Sequence, residues 1–137
     1  MHTVSTGAEA PRIDALELAA PAGRLLMAAI FLLSGWAKIT NTAFFIGYAH
    51  SAGLPAFSIA VAIPVEIIGG GLLLVGYRTR ITAAVLAVFT LVAASFFHSA
   101  LGDPNQFNHF FKNVAMAGGL LQVVAFGPGR FSVDGVD

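Results

Sequence analysis

Apolar and polar positions along the chain divide it into four long apolar stretches separated by short polar breaks, at about residues 21–39, 56–77, 81–100 and 111–127. Each comes near the roughly 20 residues that carry a helix across ~30 Å of hydrocarbon. None has the polar stripe that a water-facing helix carries. Backbone groups in lipid must pair within their own segment unless strands close into a barrel, so the pattern predicts helices. The expected fold is an all-α membrane protein, a four-transmembrane-helix bundle. Arg78, Thr79 and Arg80 link the second and third stretches, a connection short enough to force an antiparallel hairpin.

Between the first two stretches the pattern predicts a short interfacial helix. Asn41 stands at its start as N-cap, Phe44, Phe45, Tyr48, Ala49 and Ala52 share one face, and Gly53 and Pro55 end it. Residues 1–20 read as a flexible cytoplasmic lead without the features of a signal peptide, 21–130 as the bundle and 131–137 as a cytoplasmic tail. A faint repeat relates residues 70–80 to 118–130, as duplication of a helical hairpin would.

Composition strengthens this picture: 57% of the residues are apolar and 10% charged, against about a quarter charged in a soluble domain. The seven basic and seven acidic residues are dispersed, which argues against nucleic acid as a partner. The absence of cysteine excludes thiol nucleophiles, disulfides and cysteine-held iron–sulfur clusters from this chain. Redox chemistry would therefore need a borrowed cofactor, a quinone or a partner subunit. Arg12, Arg24, Arg78, Arg80 and Arg130 flank one side of the spans and Lys38 and Lys112 the other, which predicts both termini in the cytoplasm.

The candidate chemistry lies in the polar residues within the stretches: Lys38, Glu66, His98, Lys112 and Asn113. An ionisable group in a span costs roughly 2.5–3.5 kcal/mol on insertion scales, so each needs a partner or a use. Glu66 is the sharpest case, about ten residues or ~15 Å into its helix, near the midplane. Helical spacing places Lys38 in line with Arg24, Ala28, Phe31 and Gly35, and His98 with Ala83, Ala87, Thr90 and Ala94. Glu66 falls beside Ala62, Gly69 and Gly70, and Lys112 in line with Ala115, Gly119 and Gln122. Small residues mark faces where membrane helices approach closely, so these groups should converge inside the bundle. Plainer roles stand beside catalysis: a packing ion pair of Glu66 with Lys38 or His98, snorkelling of Lys38 and Lys112, and an interhelical hydrogen bond from Asn113. His50, His98 and His109 lack helical ligand spacing, so no metal site is expected.

Arg24, the run Phe31 to Lys38, Gly53 to Pro55, Glu66 with Gly69 to Gly71, Gly76 to Arg80, Phe97 with His98, Phe111 to Asn113 and Gly127 to Arg130 together resemble the landmarks of the DoxX family, in order, over residues 23–134. The resemblance implies a four-helix protein of the bacterial inner membrane and an oxidoreductase setting. Relatives take part in quinone-linked thiosulfate oxidation or associate with oxidative-stress enzymes. The expected function is accordingly a quinone-linked oxidoreductase or the membrane subunit of a redox complex, with a peripheral oxidoreductase subunit as partner and homo-oligomers allowed. Glu66, His98 and Lys38 are the catalytic candidates. Trp36, Phe97, Phe111, Lys112 and Asn113 are the residues expected to contact the quinone, and no flavin, haem or metal signature accompanies them. The alternative is a non-enzymatic membrane scaffold or a carrier of protons or small solutes.

Overall fold

A computed structural model describes residues 13–136. Five helices follow one another: α1 (Ala15–Thr40), α2 (Thr42–Ser51), α3 (Phe57–Val75), α4 (Thr79–Phe97) and α5 (Pro104–Phe126). Among the described residues there is no strand. Three helices, α1, α3 and α4, are long and apolar enough to cross a membrane. The expected fourth span, α5, has 23 residues, but Asn105, Gln106, Asn108, His109, Lys112 and Asn113 crowd its first half. It therefore falls short of the apolar level of the other three.

The first helix starts earlier than the expected residue 21, because Asp14 and Glu17 form a reciprocal capping box at its N-terminus. Pro21 lies inside α1 rather than before it. The expected flexible lead thus becomes helical from Ala15, and its first twelve residues lie outside those described. At the other end Asn41 makes no N-cap hydrogen bond for α2; its side-chain amide donates to the Ala37 carbonyl and closes α1 instead. Phe44 points outward, 69% exposed, while Ala49 is the buried residue of α2.

Two antiparallel pairs, α1 with α3 and α4 with α5, make the bundle, and the Gly76–Arg78 turn joins them. Buried positions on α1 are Arg24, Ala28, Phe31 and Gly35, and on α4 they include Ala83, Ala87, Thr90 and Ala94, the faces that helical spacing predicts. For α5 the expectation fails. Ala117 and Leu120 are its buried residues, and Lys112, Ala115 and Gln122 face outward. The core is small, with Ala28, Phe31, Leu73, Ala83, Leu86, Ala87, Ala117 and Leu120 at its centre. Large apolar side chains such as Leu26, Leu33, Ile68, Val88 and Leu121 face outward instead, as a lipid-facing surface allows.

The chain after α5 folds back over the turn between α3 and α4. Val133 N–H donates to Val75 O (3.0 Å) and Asp134 N–H to Gly76 O (2.9 Å), so two carbonyls at the end of α3 gain partners. Asp134 carboxylate oxygens accept from Arg78 N–H (2.9 Å), Thr79 N–H (2.8 Å) and the Thr79 hydroxyl (2.7 Å). Arg78 is left-handed, at φ 49°, and supplies no side-chain cap, so the cap of α4 comes from a residue over fifty positions away. Arg24, 2% exposed, binds this end together. Its guanidinium donates to the carbonyls of Leu73, Leu74, Pro128 and Phe131.

Candidate functional site

At the opposite end from the Arg24 clamp, α1, α3 and α4 part to leave a cavity of about 500 Å³, with α2 over its mouth and Asn113 and Met116 of α5 along one side. That is within the roughly 300–1,000 Å³ of small-molecule sites. Phe31, Phe45, Phe57, Phe89, Phe96 and Phe97 line it. Tyr48 of α2 stacks on Phe97 with ring centroids 4.9 Å apart, tying the mouth helix to the end of α4.

The charged centre of the cavity is built by α1 and α3. Gly35 lets the helices approach so closely that a Cβ there would sit 2.7 Å from Ile67 and 3.2 Å from the Cβ of Glu66. Lys38, one turn further along α1, then reaches Glu66: Nζ donates to Oε1 at 3.0 Å and to Oε2 at 3.2 Å. A third bond runs from Nζ to the Ser34 hydroxyl at 2.8 Å, and the Phe45 ring lies 5.1 Å from the ammonium. The side chains are 14% and 5% exposed, so both charges are largely out of water and offset one another. Of the two ion pairs left open by the sequence, the structure forms the one with Lys38.

Among the expected catalytic residues, Glu66, Lys38 and His98 all line this cavity, and among the expected contact residues so do Phe97 and Asn113. Trp36, Phe111 and Lys112 do not. Trp36 is 61% exposed on the outer face of α1, and Phe111 and Lys112 sit on the outward side of α5. The reason for Lys112 is rotation: one residue is about 100° of helix, and Asn113 takes the inward place. His98 stacks on His109 with centroids 5.0 Å apart, at the mouth of the cavity. No group of three potential metal ligands occurs among the described residues.

Three contributors were not singled out as site residues from the sequence. Ser34 carries a readable signal, a hydroxyl one turn before Lys38. Phe45 belongs to the expected interfacial face of α2, and its ring lies over the ammonium. Thr90 falls in line with the small residues of α4, yet its hydroxyl is buried against the cavity with no partner.

Comparison with known proteins accords with this architecture. The family model for DoxX matches residues 19–99, which hold most of α1, all of α2 to α4 and every charged residue of the cavity. The inner membrane protein YqjF of Escherichia coli K12 is 39% identical over 111 residues, covering 81% of this chain and 85% of that protein. The inner membrane protein YphA of the same organism is 31% identical over 119 residues, 81% of this chain and 84% of that protein. No solved structure matches.

Proposed function

This chain belongs to the DoxX family, and from that premise we propose that it is a multi-pass inner-membrane protein whose cavity binds a quinone on behalf of a redox partner. The names of its two relatives support the location. The close packing of α5 along α4 supports α5 as a fourth crossing, with the polar first half of the helix near the outer surface. Arg24, Arg78, Arg80 and Arg130 gather at the end opposite Lys38, which supports both termini in the cytoplasm.

The observation that carries the reading is a charged pair held open to an aromatic-walled cavity. Phenylalanine rings on several sides suit a flat apolar ring, Glu66 offers free lone pairs to a hydroxyl, and a buried hydroxyl at Thr90 lacks a partner. A bound quinol supplies two protons and two electrons. Glu66 accepts one proton from a ring hydroxyl, Lys38 holds the carboxylate in place for it, and the second proton leaves to water at the cavity mouth as the electrons depart. The two electrons would pass to an acceptor carried by the partner subunit; this chain has no cysteine with which to hold an iron–sulfur cluster.

A second reading has its own support. Ser34 and both carboxylate oxygens satisfy the ammonium fully, as a packing ion pair or a proton-carrying group would require. The two readings part on a double substitution. Glu66→Gln or Lys38→Met alone leaves one group without its counter-charge and should cost about 3–5 kcal/mol of stability. Lys38→Met with Glu66→Leu should restore stability to near wild type, because a well-packed apolar pair replaces the charges. On the quinone reading that stable double variant binds decylubiquinol at least about tenfold more weakly. Wild-type affinity in the double variant would leave the packing reading in possession.

A further inference from the structure

We propose that the Thr90 hydroxyl is the donor that holds a carbonyl oxygen of the oxidised ring, so that the cavity divides recognition of the two redox forms between Thr90 and Glu66. The inference rests on the quinone reading and extends it to which residue recognises which form.

Thr90 is 3% exposed, and its Oγ1 is the one buried side-chain polar atom without a hydrogen-bond partner among the described residues. A hydroxyl inside an apolar helix ordinarily returns to the carbonyl one turn back. Ser95 does so to Leu91 (2.9 Å) and Thr40 to Trp36 (3.1 Å), but Thr90 does not. An unpaired buried hydroxyl costs stability, so its persistence at a cavity wall points to a partner that enters from the cavity.

Its position suits that use. A Cβ on Gly69 would meet Leu86 at 2.9 Å, which fixes α3 against α4 at that level. Glu66 lies three residues outward from Gly69 and Thr90 four outward from Leu86, rises of about 4.5 and 6 Å, so both stand in one layer. Gly35 packs against Glu66 and brings Ser34 to the same layer.

The donors and acceptors there are unevenly spent. A lysine ammonium has three N–H bonds, and those of Lys38 go to Ser34 and the two oxygens of Glu66. Ionised Glu66 only accepts. A reduced ring, whose hydroxyls donate, is served by Glu66. An oxidised ring, whose carbonyls only accept, finds nothing in that pair and needs another donor. Tyr48, His98 and Asn113 are nearer the mouth: Tyr48 stacks on the last residue of α4, His98 caps that helix, and Asn113 is one turn from the stacked His109. At the level of Glu66 stand the hydroxyls of Ser34, whose oxygen is already engaged by Lys38, and of Thr90, two turns below His98, which alone of the two has no partner.

The test measures binding of decylubiquinone and decylubiquinol to the full chain in detergent, alongside Tm without ligand, for wild type, Thr90→Val and Thr90→Ser. Thr90→Val should weaken decylubiquinone roughly tenfold and leave decylubiquinol within about twofold. Thr90→Ser, which keeps the hydroxyl, should bind both forms like wild type. The ligand-free Tm of Thr90→Val should rise by about 4 °C, because the unpaired hydroxyl is gone. Equal weakening of both forms, or of neither, would overturn the assignment to Thr90 while the quinone reading stands. Wild-type protein that binds neither probe would overturn both.

Discussion

Lys38 and Asp134 show how single residues carry this small fold, at opposite ends of it. At the cavity, a lysine and a glutamate out of water are tolerable because every N–H of the ammonium has an acceptor and the two charges meet at 3.0 Å. At the other end Asp134 caps a helix to which it does not belong. Hydrogen bonds from the backbone and hydroxyl of Thr79, then from the backbone of Arg78, hold its carboxyl below the ordinary aspartate range. A lowered pKa in the folded state means that the stability Asp134 contributes is present above the unfolded value, about 3.9, and is lost as the pH falls through the folded value. Tm of the wild type should therefore drop on acidification below about pH 4. In Asp134→Asn that part of the drop should be missing, and Tm at neutral pH should already be lower. Parallel curves for the two proteins would show that the cap does not contribute.

Helices meet in this molecule through glycines set for different neighbours. On α3, a Cβ at Gly69 would meet Leu86 of α4 at 2.9 Å and one at Gly70 would meet Leu32 of α1 at 3.1 Å, while Gly71 has open space. Two successive glycines thus let α3 approach a helix on each side. Gly69→Leu and Gly70→Leu should each lower Tm sharply in detergent, and Gly71→Leu should change it little, since a larger side chain there points away from other helices. Three similar losses would contradict the packing. The contact faces of α1 and α4 were legible in the sequence because small residues recur there at helical spacing. The face of α5 was not, because Lys112, Ala115, Gly119 and Gln122 form an equally regular line, and only contact with α4 selects Ala117 and Leu120. The early start of α1 was written in Asp14 and Glu17, but Pro21 obscured it.

For the whole molecule, the contrast is between one end closed by polar bonds and the other open around a charged cavity. Arg24, Asp134 and the returning C-terminal segment pair the free backbone groups at the closed end. None of these long-range bonds could be read from spacing, because each joins residues about fifty or more positions apart. The cavity was legible in part. Glu66 and Lys38 announce themselves as charges in apolar helices, whereas Trp36, Phe111 and Lys112 are of suitable types on outward faces. A quinone bound between α1, α3 and α4 would be open to photolabelling with an azido-quinone followed by peptide mapping. Adducts are expected on cavity residues such as Phe31, Ile59, Ala62 and Phe89, suppressed by excess decylubiquinol. Adducts confined to outward residues such as Trp36, Ile68 and Val88, unaffected by competitor, would contradict it.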